Sequence, residues 1–189
     1  YMNQNTPTTA TGIAITYLKI RDYEIGKGRG FTETEAEGLA RLAIIGPTTA
    51  QNLFGNNDPL GETIKVNGIN FNVIGVTKAK GDQGWNIPDD QIFVPYTTAM
   101  RILFGWRYLQ QVDVQAVEGT NLNDVQRNLT LMLRRRHHER DQDPNDFNIR
   151  NQAQMIEQMS SITDTFTILL GSVAGISLLV GGIGIMNIM

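Results

Sequence analysis

Residues 165–189 read TFTILLGSVAGISLLVGGIGIMNIM, and this stretch decides how the whole chain is interpreted. It contains no charged side chain. It is also longer than the roughly 20 mainly apolar residues that a helix needs to cross the hydrocarbon core of a bilayer. A buried helix of a soluble protein is the alternative, but such helices usually carry polar residues along one face. The stretch therefore predicts a transmembrane helix.

The residues before this stretch predict that the same helix begins outside the membrane. Asn151 and Gln154 have a spacing that resembles a capping box at a helix start. No proline interrupts residues 151–189. One continuous helix of this kind would transmit force, because a shift of its water-exposed half must move its membrane half. Its apolar residues recur at steps of four and three across the boundary between polar and apolar sequence: Met155, Met159, Ile162, Phe166, Leu169 and Val173.

Residues 1–164 contain all the charged side chains and predict a soluble domain of ordinary size. The net charge is −3 and both signs are mixed along the chain, so we expect no nucleic-acid partner. The absence of cysteine fits a domain outside the cytoplasm without being specific for one. Because no export signal is visible near residue 1, we expect this sequence to be cut from a longer protein at both ends.

Charge around the apolar stretch predicts its orientation. Cytoplasmic flanks of membrane helices are enriched in Lys and Arg within about 15–20 residues. Residues 151–166 contain neither, only Glu157 and Asp164. The soluble domain is therefore expected outside the cytoplasm.

Local patterns predict the elements of the soluble domain. The clearest is Asn67-Gly68 between two alternating strands, because a two-residue Asn-Gly turn with positive φ is the strongest short-range signal of a β-hairpin. Thr32 and Glu35 have the spacing of a capping box. Pro47 suits the first turn of a helix at 48–54. Further helices are predicted at 96–104 and from 122 into the arginine-rich residues 134–140, and further strands at 10–18, 41–46, 91–95, 112–116 and 147–150.

The sequence contains no recognisable catalytic or metal-binding arrangement. No stretch fits the P-loop pattern G-x-x-x-x-G-K-[ST], and residues 26–30 (GKGRG) are interpreted as a flexible bend. His137 and His138 are adjacent, so on a helix they point about 100° apart and are not expected to share a metal ion. Asp89 and Asp90 are typical of a turn. With neither cysteine nor a G-x-S-x-G string, we expect no catalytic residue, cofactor or metal in this chain.

Several motifs, taken in order, resemble one known family. Residues 176–189 (ISLLVGGIGIMNIM) are similar to the second transmembrane helix of MacB-type ABC transporter permeases, which belong to the FtsX-like superfamily. Upstream, LFG at 53–55 with DPLG at 58–61, FNVIGV at 71–76 and IFVP at 92–95 resemble the MacB-type periplasmic core domain, and IRD at 20–22 with GRGF at 28–31 fits its earlier part. The family-motif positions singled out here are Phe54, Gly55, Asp58, Pro59, Gly61 and Pro95.

This resemblance implies a fold and a function. The fold is α+β, an extracytoplasmic core domain with porter-like and inserted subdomains followed by a transmembrane α-helix. Residues 1–106 would be mostly the inserted subdomain, 107–163 the second half of the porter-like subdomain with the connecting helix, and 164–189 the transmembrane helix. The protein would be a homodimeric permease of the bacterial inner membrane, with residues 1–163 periplasmic. An ABC ATPase domain or subunit outside this chain would bind ATP, a periplasmic adaptor would be a further partner, and drugs, peptides or lipopeptides would be exported.

Small residues in the apolar stretch predict close packing of membrane helices. Gly171 and Gly175 form a G-x-x-x-G motif, and small residues continue at Ser177 and Gly181. The further glycines would also make the segment deformable. A polar amide near the end is expected to make an interhelical hydrogen bond or to lie at the membrane interface. The residues assigned to this packing are Gly171, Gly175, Gly181, Gly182, Gly184 and Asn187.

Two other functions remain open on the sequence alone. An FtsX-like protein would transmit ATPase motion to a cell-wall hydrolase without moving a substrate, and a membrane-anchored module would only bind or sense. A neighbouring gene for an adaptor favours the exporter, and a neighbouring hydrolase favours the regulator. The absence of any ATPase favours the sensor.

Overall fold

The computed structural model describes residues 5–81, 88–138 and 144–186, with the backbone alone at 179, 181–182 and 184–185. The chain divides into two units, Tyr1–Gln115 and Ala116–Met189, here named the sheet unit and the helical unit. The sheet unit contains strands β1 (Thr9–Ile13), β2 (Ile25–Gly28), β3 (Leu42–Ile45), β4 (Thr63–Val66), β5 (Ile69–Thr77) and β6 (Gln91–Pro95). Its helices are α1 (Tyr17–Ile20), α2 (Glu33–Glu37), α3 (Pro47–Phe54) and α4 (Tyr96–Thr98), which continues as a π-helical segment, Ala99–Leu103. The helical unit contains α5 (Leu122–His137) and α6 (Gln152–Met186).

A mixed β-sheet is the framework of the sheet unit. Its strands follow the order β1-β6-β3-β5-β2, and β4 also pairs with β5. The β1–β6 and β3–β5 pairs are parallel, whereas the β3–β6, β2–β5 and β4–β5 pairs are antiparallel. Strands β4 and β2 pair with successive parts of β5, residues 69–72 and 75–77, so they follow one another along the same edge. This sheet with its helices confirms the α+β class.

The hairpin predicted from Asn67-Gly68 joins β4 to β5. Both residues have positive φ, 48° at Asn67 and 82° at Gly68, as a type I′ turn requires. Val66 and Ile69 are directly paired on either side of the turn. The Asn67 amide also donates to the carbonyl of Leu103, at 3.3 Å. The hairpin prediction is confirmed, and the turn is tied to the end of the π-helical segment.

Apolar side chains cover both faces of the sheet, because successive residues of a strand point to opposite sides. Along β3, Ile45 belongs to a cluster that includes α3 and the π-helical segment. Its neighbour Ile44 belongs to a second cluster, which contains Phe93 and the side chains of α1. Phe93 and Ile44 are fully buried. The sheet is therefore the middle layer of its unit at the central strands β3 and β6, which contain one polar residue between them, Gln91.

Two predictions for the first part of the sheet unit were wrong in detail. The strand predicted at 10–18 ends at Ile13, because the chain turns so that Tyr17 packs against Phe93 with ring centroids 6.1 Å apart. The bend predicted at 26–30 is instead strand β2, paired with β5. Gly28 has φ of 77°, and a Cβ there would overlap the carbonyl oxygen of Ile74. The glycines therefore allow a close approach of two backbones, and the segment is not a flexible bend.

Two predicted strands are not formed in the part of the chain that the structure describes. Residues 112–116 have the alternation of a strand, but Val112 and Val114 are 70% and 56% exposed. Residues 147–150 are also irregular. A strand requires a neighbour for its backbone hydrogen bonds, and no described strand pairs with either segment. The predictions at 41–46, 48–54 and 91–95 are confirmed by β3, α3 and β6.

Candidate functional site

Helix α6 is the candidate link between the globular part of the chain and a membrane. It runs for 35 residues from Gln152 to Met186. At 1.5 Å per residue it is about 52 Å long, whereas the hydrocarbon core of a bilayer is about 30 Å thick. Among the described residues it contains the one candidate membrane span, Gln152–Leu178, with a mean hydropathy of 1.4 over its most apolar window and none of that window buried. A span of that thickness would leave about 22 Å of the helix, roughly two fifths of it, outside the hydrocarbon core.

A buried asparagine anchors the start of α6. The side-chain oxygen of Asn151, Oδ1, caps the helix by accepting from the backbone N–H of Ala153, at 3.0 Å. Its amide nitrogen donates to the side-chain oxygens of Asn123, at 3.1 Å, and Gln126, at 3.3 Å, in the first turns of α5. Asn151 is only 8% exposed. The predicted helix start is thus confirmed. The Gln154 amide, however, reaches towards Asn123 at 3.5 Å, so the described contacts do not make a reciprocal capping box.

The apolar stripe of α6 continues across the boundary between polar and apolar sequence without a break in the helix. Every member is more than half exposed, so no described part of the chain covers the stripe; its residues are Met155, Met159, Ile162, Phe166, Leu169 and Val173. Hydroxyl groups in the same helix bond to the carbonyl four residues earlier, as Ser172 does to Ile168 at 2.8 Å and Ser177 to Val173 at 2.9 Å. Satisfying polar groups within the helix is what a lipid environment demands.

The glycines predicted to pack against a partner helix lie on α6. A Cβ at Gly171 or Gly175 would meet nothing within 4 Å, so this surface is open in the described structure. Gly181, Gly182 and Gly184 lie in the last turns of α6, where the backbone alone is described. Asn187 lies outside the described residues. Their role in packing therefore stays a prediction.

The family-motif residues build the connection from α3 to β4 and the end of β6. Gly55 ends α3 with φ of 58° and ψ of −116°, a conformation that favours glycine. Asp58 accepts from the backbone N–H of Leu60 at 3.3 Å, and the N–H of Gly61 donates to the Val73 carbonyl at 2.8 Å. Three further members are buried in the unit: Phe54, Pro59 and Pro95. These residues shape the sheet unit, and they do not converge on a ligand pocket.

The acidic and histidine residues weighed in the sequence have structural partners. Asp89 is buried and accepts from the backbone N–H groups of Lys80, at 2.8 Å, and Gly81, at 3.0 Å. Asp90 accepts from the Thr49 hydroxyl at 2.8 Å. His137 Nδ1 lies 2.7 Å from the Asp146 carboxylate, and His138 has φ of 57°, where it ends α5. Among the described residues, no group of three or more His, Cys, Asp or Glu could hold a metal ion.

Glu35 takes part in two interactions, a capping box with Thr32 and an ion pair with Arg29. The sequence predicted the first of them. It completes the capping box of α2 by accepting from the backbone N–H of Thr32 at 2.9 Å, as its spacing predicted. It also forms a bidentate pair with Arg29, with both N···O distances 2.7 Å. The Arg29 guanidinium, and next the Thr32 N–H, hold the pKa of Glu35 at about 2, well below its usual 4.5. The pair fixes the end of β2 against the start of α2.

We expect Glu35→Gln to lower the free energy of unfolding by ~1 kcal/mol at pH 7, because glutamine keeps the capping box but not the ionic pair. The folded-state pKa of Glu35 is lowered, so its contribution is present above pH 4.5 and is lost as the pH falls towards about 2. The difference from wild type in urea denaturation should therefore shrink between pH 4.5 and 2. Glu33→Gln in the same turn is the matched control. A constant difference across this range would contradict the assignment.

The sheet unit and the apolar helix together define a class, a globular domain followed in the chain by a candidate membrane helix. The family described as the MacB-like periplasmic core domain matches residues 1–131, and the chain belongs to that family. Curated relatives match along the whole chain. The macrolide export ATP-binding/permease protein MacB of Bdellovibrio bacteriovorus is 42% identical over 190 residues, and that of Wolinella succinogenes is 38% identical over 190 residues. The chain spans 29% of the length of each.

Two solved structures have the same fold. The periplasmic region of MacB from Actinobacillus actinomycetemcomitans superposes with a TM-score of 0.62 at 22% identity, covering 80% of this chain and 64% of that one. The extracellular domain of the noncanonic ABC-type transporter YknZ from Gram-positive bacteria superposes with a TM-score of 0.64 at 25% identity, covering 75% and 71%. The resemblance inferred from the motifs is therefore confirmed, and the chain is the periplasmic-domain part of a MacB-like permease, with a candidate transmembrane helix.

Proposed function

We propose that this chain is the motion-transmitting part of a MacB-like ABC exporter. In this proposal a cytoplasmic ATPase moves the membrane half of α6, and the helix carries that motion to the domain outside the cytoplasm. The observation that supports it is the continuity of α6, from the buried Asn151 anchor into the uncharged residues after Asp164. A hydrogen-bonded helix moves as one body, so a displacement in the membrane arrives at Asn151 instead of being lost in a flexible linker.

The proposed location is the bacterial inner membrane, with residues 1–163 on the periplasmic side. The absence of Lys and Arg from residues 151–166 supports this orientation, because positive flanks are retained in the cytoplasm. The name of the family, MacB-like periplasmic core domain, supports the same side. ATP would bind outside this chain, since the relatives carry the name ATP-binding/permease protein and this sequence has no P-loop pattern.

The proposed subdomains follow the family pattern. Residues 1–106 would be mostly the inserted part, and residues 107–163 the second half of a porter-like part whose first half belongs to the remaining length of the protein. The exposed, alternating Val112 and Val114 support this division, because a segment with the pattern of a strand and no described partner fits a sheet completed by other residues. The relatives' names supply macrolides as the first substrate class to examine.

The proposed partners are a second copy and a periplasmic adaptor. The open surface at Gly171 and Gly175 supports close approach of another membrane helix, since small residues let helix backbones pack tightly. An adaptor would carry the exported compound onward from the periplasmic domain.

The test is macrolide resistance in a bacterial host that lacks its own exporter of this class. The full-length protein, produced with its candidate adaptor, is expected to raise the minimum inhibitory concentration of erythromycin above the vector control. Omitting the adaptor, or inactivating the ATP-binding motif of the full-length protein, should return resistance to that control. Unchanged sensitivity together with no adaptor binding would reject the exporter. Activation of a co-expressed cell-wall hydrolase would instead support the FtsX-like regulator.

A further inference from the structure

Residues 105–115, here named the exit segment, lead from the π-helical segment to the helical unit. They contain neither helix nor strand, and their side chains are exposed with one exception. Tyr108, Leu109 and Val112 are 79%, 57% and 70% exposed. The exception is Asp113, whose side chain is only 17% exposed. Trp106 stacks on the neighbouring Phe104 at the start of the segment, with ring centroids 4.4 Å apart, so Asp113 is the point of attachment farther along the chain.

Arg21 makes that attachment through a bidentate ion pair with the carboxylate of Asp113. Its Nε lies 2.7 Å from Asp113 Oδ2, and its Nη2 lies 3.2 Å from Oδ1. The Gln111 amide adds a second donor to Oδ1, at 2.6 Å. Burial would raise the pKa of Asp113, but these hydrogen bonds outweigh it and the pKa lies below its usual value. A bidentate pair fixes orientation as well as distance, which a single hydrogen bond does not.

The core of the sheet unit in turn fixes Arg21. Its guanidinium lies over the ring of Tyr17, 5.9 Å from the centroid, and Tyr17 packs against the fully buried Phe93 of β6. The backbone carbonyl of Arg21 accepts from Lys80 Nζ at 2.8 Å. Arg21 follows the last residue of α1, and its backbone N–H donates to the Tyr17 carbonyl at 2.9 Å. The attachment is therefore made to the rigid layer of the sheet unit.

We propose that Arg21 and Asp113 are positioning residues that couple the sheet unit to motion arriving through the chain at Ala116. This inference rests on the proposed function. Without the pair, residues 105–111, which precede the residues with the strand pattern, could extend to about 23–25 Å and take up the displacement without passing it on. With Asp113 fixed, only Val114 and Gln115 remain between the attachment and the helical unit, and they span about 7 Å. Displacement of the helical end then pulls directly on Arg21 and the core beneath it.

The test uses the full-length protein in lipid nanodiscs with its adaptor. A spin label on a cysteine introduced at the exposed Val112 reports how mobile the exit segment is. In Arg21→Ala, and in Asp113→Asn, which keeps the side-chain volume, the spectrum of this label is expected to gain a mobile component that the wild type lacks, because the charged hydrogen bonds are lost. Hydrogen exchange in β5 should stay unchanged, which verifies folding. ATP hydrolysis is expected to continue while macrolide transported per ATP falls. Arg21→Lys should restore transport per ATP only in part, because the lysine ammonium cannot form the bidentate pair that the guanidinium forms.

The charge-exchanged pair Arg21→Asp with Asp113→Arg is expected to recover both readouts, and Arg101→Ala, at an exposed arginine of the same unit, to change neither. Unchanged mobility of the Val112 label in Arg21→Ala would overturn the attachment. A more mobile label with undiminished transport per ATP would overturn the coupling role. A wild-type protein that hydrolyses ATP but transports nothing refutes the proposed function itself, whereas a loss confined to the Arg21 and Asp113 variants leaves that function in place.

Discussion

Val173→Arg is expected to prevent α6 from entering the membrane. Val173 lies near the middle of the uncharged part of the helix, where its side chain is 56% exposed. An arginine at the centre of a membrane helix costs about 2.5–3.5 kcal/mol on the insertion scale, which shifts the insertion equilibrium on the order of a hundredfold. No described side chain lies over this position to pair with the charge. The helix should therefore remain on one side of the bilayer.

The measurement is insertion of residues 152–189 as a test segment in a host membrane protein carrying glycosylation sites on both sides. The wild-type segment is expected to be glycosylated as a spanning helix and Val173→Arg as a translocated one. Gln158→Arg is the matched control, because that residue lies on the part of α6 assigned to water. Failure of the wild-type segment to insert would show that the apolar stretch is not a membrane span. Efficient insertion of Val173→Arg, or equal losses in both variants, would show that Val173 does not lie at the centre of a span.

The elements that sequence reasoning located are those specified by neighbouring residues. Asn67-Gly68 requires positive φ whatever surrounds it, so the hairpin could be predicted without knowing the rest of the fold. Pro47 opens α3 for the same kind of local reason. The length of α6 follows from composition and the absence of proline. In each case the physical cause lies within a few residues.

The errors arose where distant residues decide the outcome. The glycines of strand β2 led to the prediction of a flexible bend, because glycine is conformationally permissive. In the structure, Gly28 is needed because a Cβ at this position would overlap the carbonyl oxygen of Ile74. Residues 112–116 have the pattern of a strand, and pattern alone does not supply a partner. The turn after Ile13 depends on the packing of Tyr17 against Phe93. Phe93 belongs to β6, so this contact cannot be predicted from the residues around Ile13.

The same distinction separates the predicted from the unpredicted parts of the candidate site. The start of α6 at Asn151 could be predicted, because a capping residue bonds to the backbone only two or three residues further on. It did not find the tie from Asn151 to Asn123, or the pair of Arg21 with Asp113, whose members are 92 positions apart. Arg21 had been noted only as part of a motif. No local signal marks such a pair, because either residue alone would be an ordinary surface charge.

Ser161→Pro is expected to separate ATP hydrolysis from transport. Ser161 lies within α6, one turn before the uncharged residues begin, and its carbonyl accepts from the Thr165 hydroxyl at 2.9 Å. Proline in a helix interior removes one backbone hydrogen bond and clashes with the preceding turn, at a cost of ~3 kcal/mol or more, and it kinks the helix. Displacement of the membrane half then bends α6 at residue 161 instead of moving Asn151.

The full-length Ser161→Pro protein should insert normally, because residues 165–186 still exceed the length that a bilayer requires. Its ATPase activity should persist, while resistance to erythromycin falls to the vector control. Ser161→Ala removes the same hydroxyl but keeps the helix, and it should match wild type in both measurements. Because the two variants differ in the stiffness of α6 and not in its membrane contacts, full resistance in Ser161→Pro would mean that motion reaches the periplasmic domain by another route.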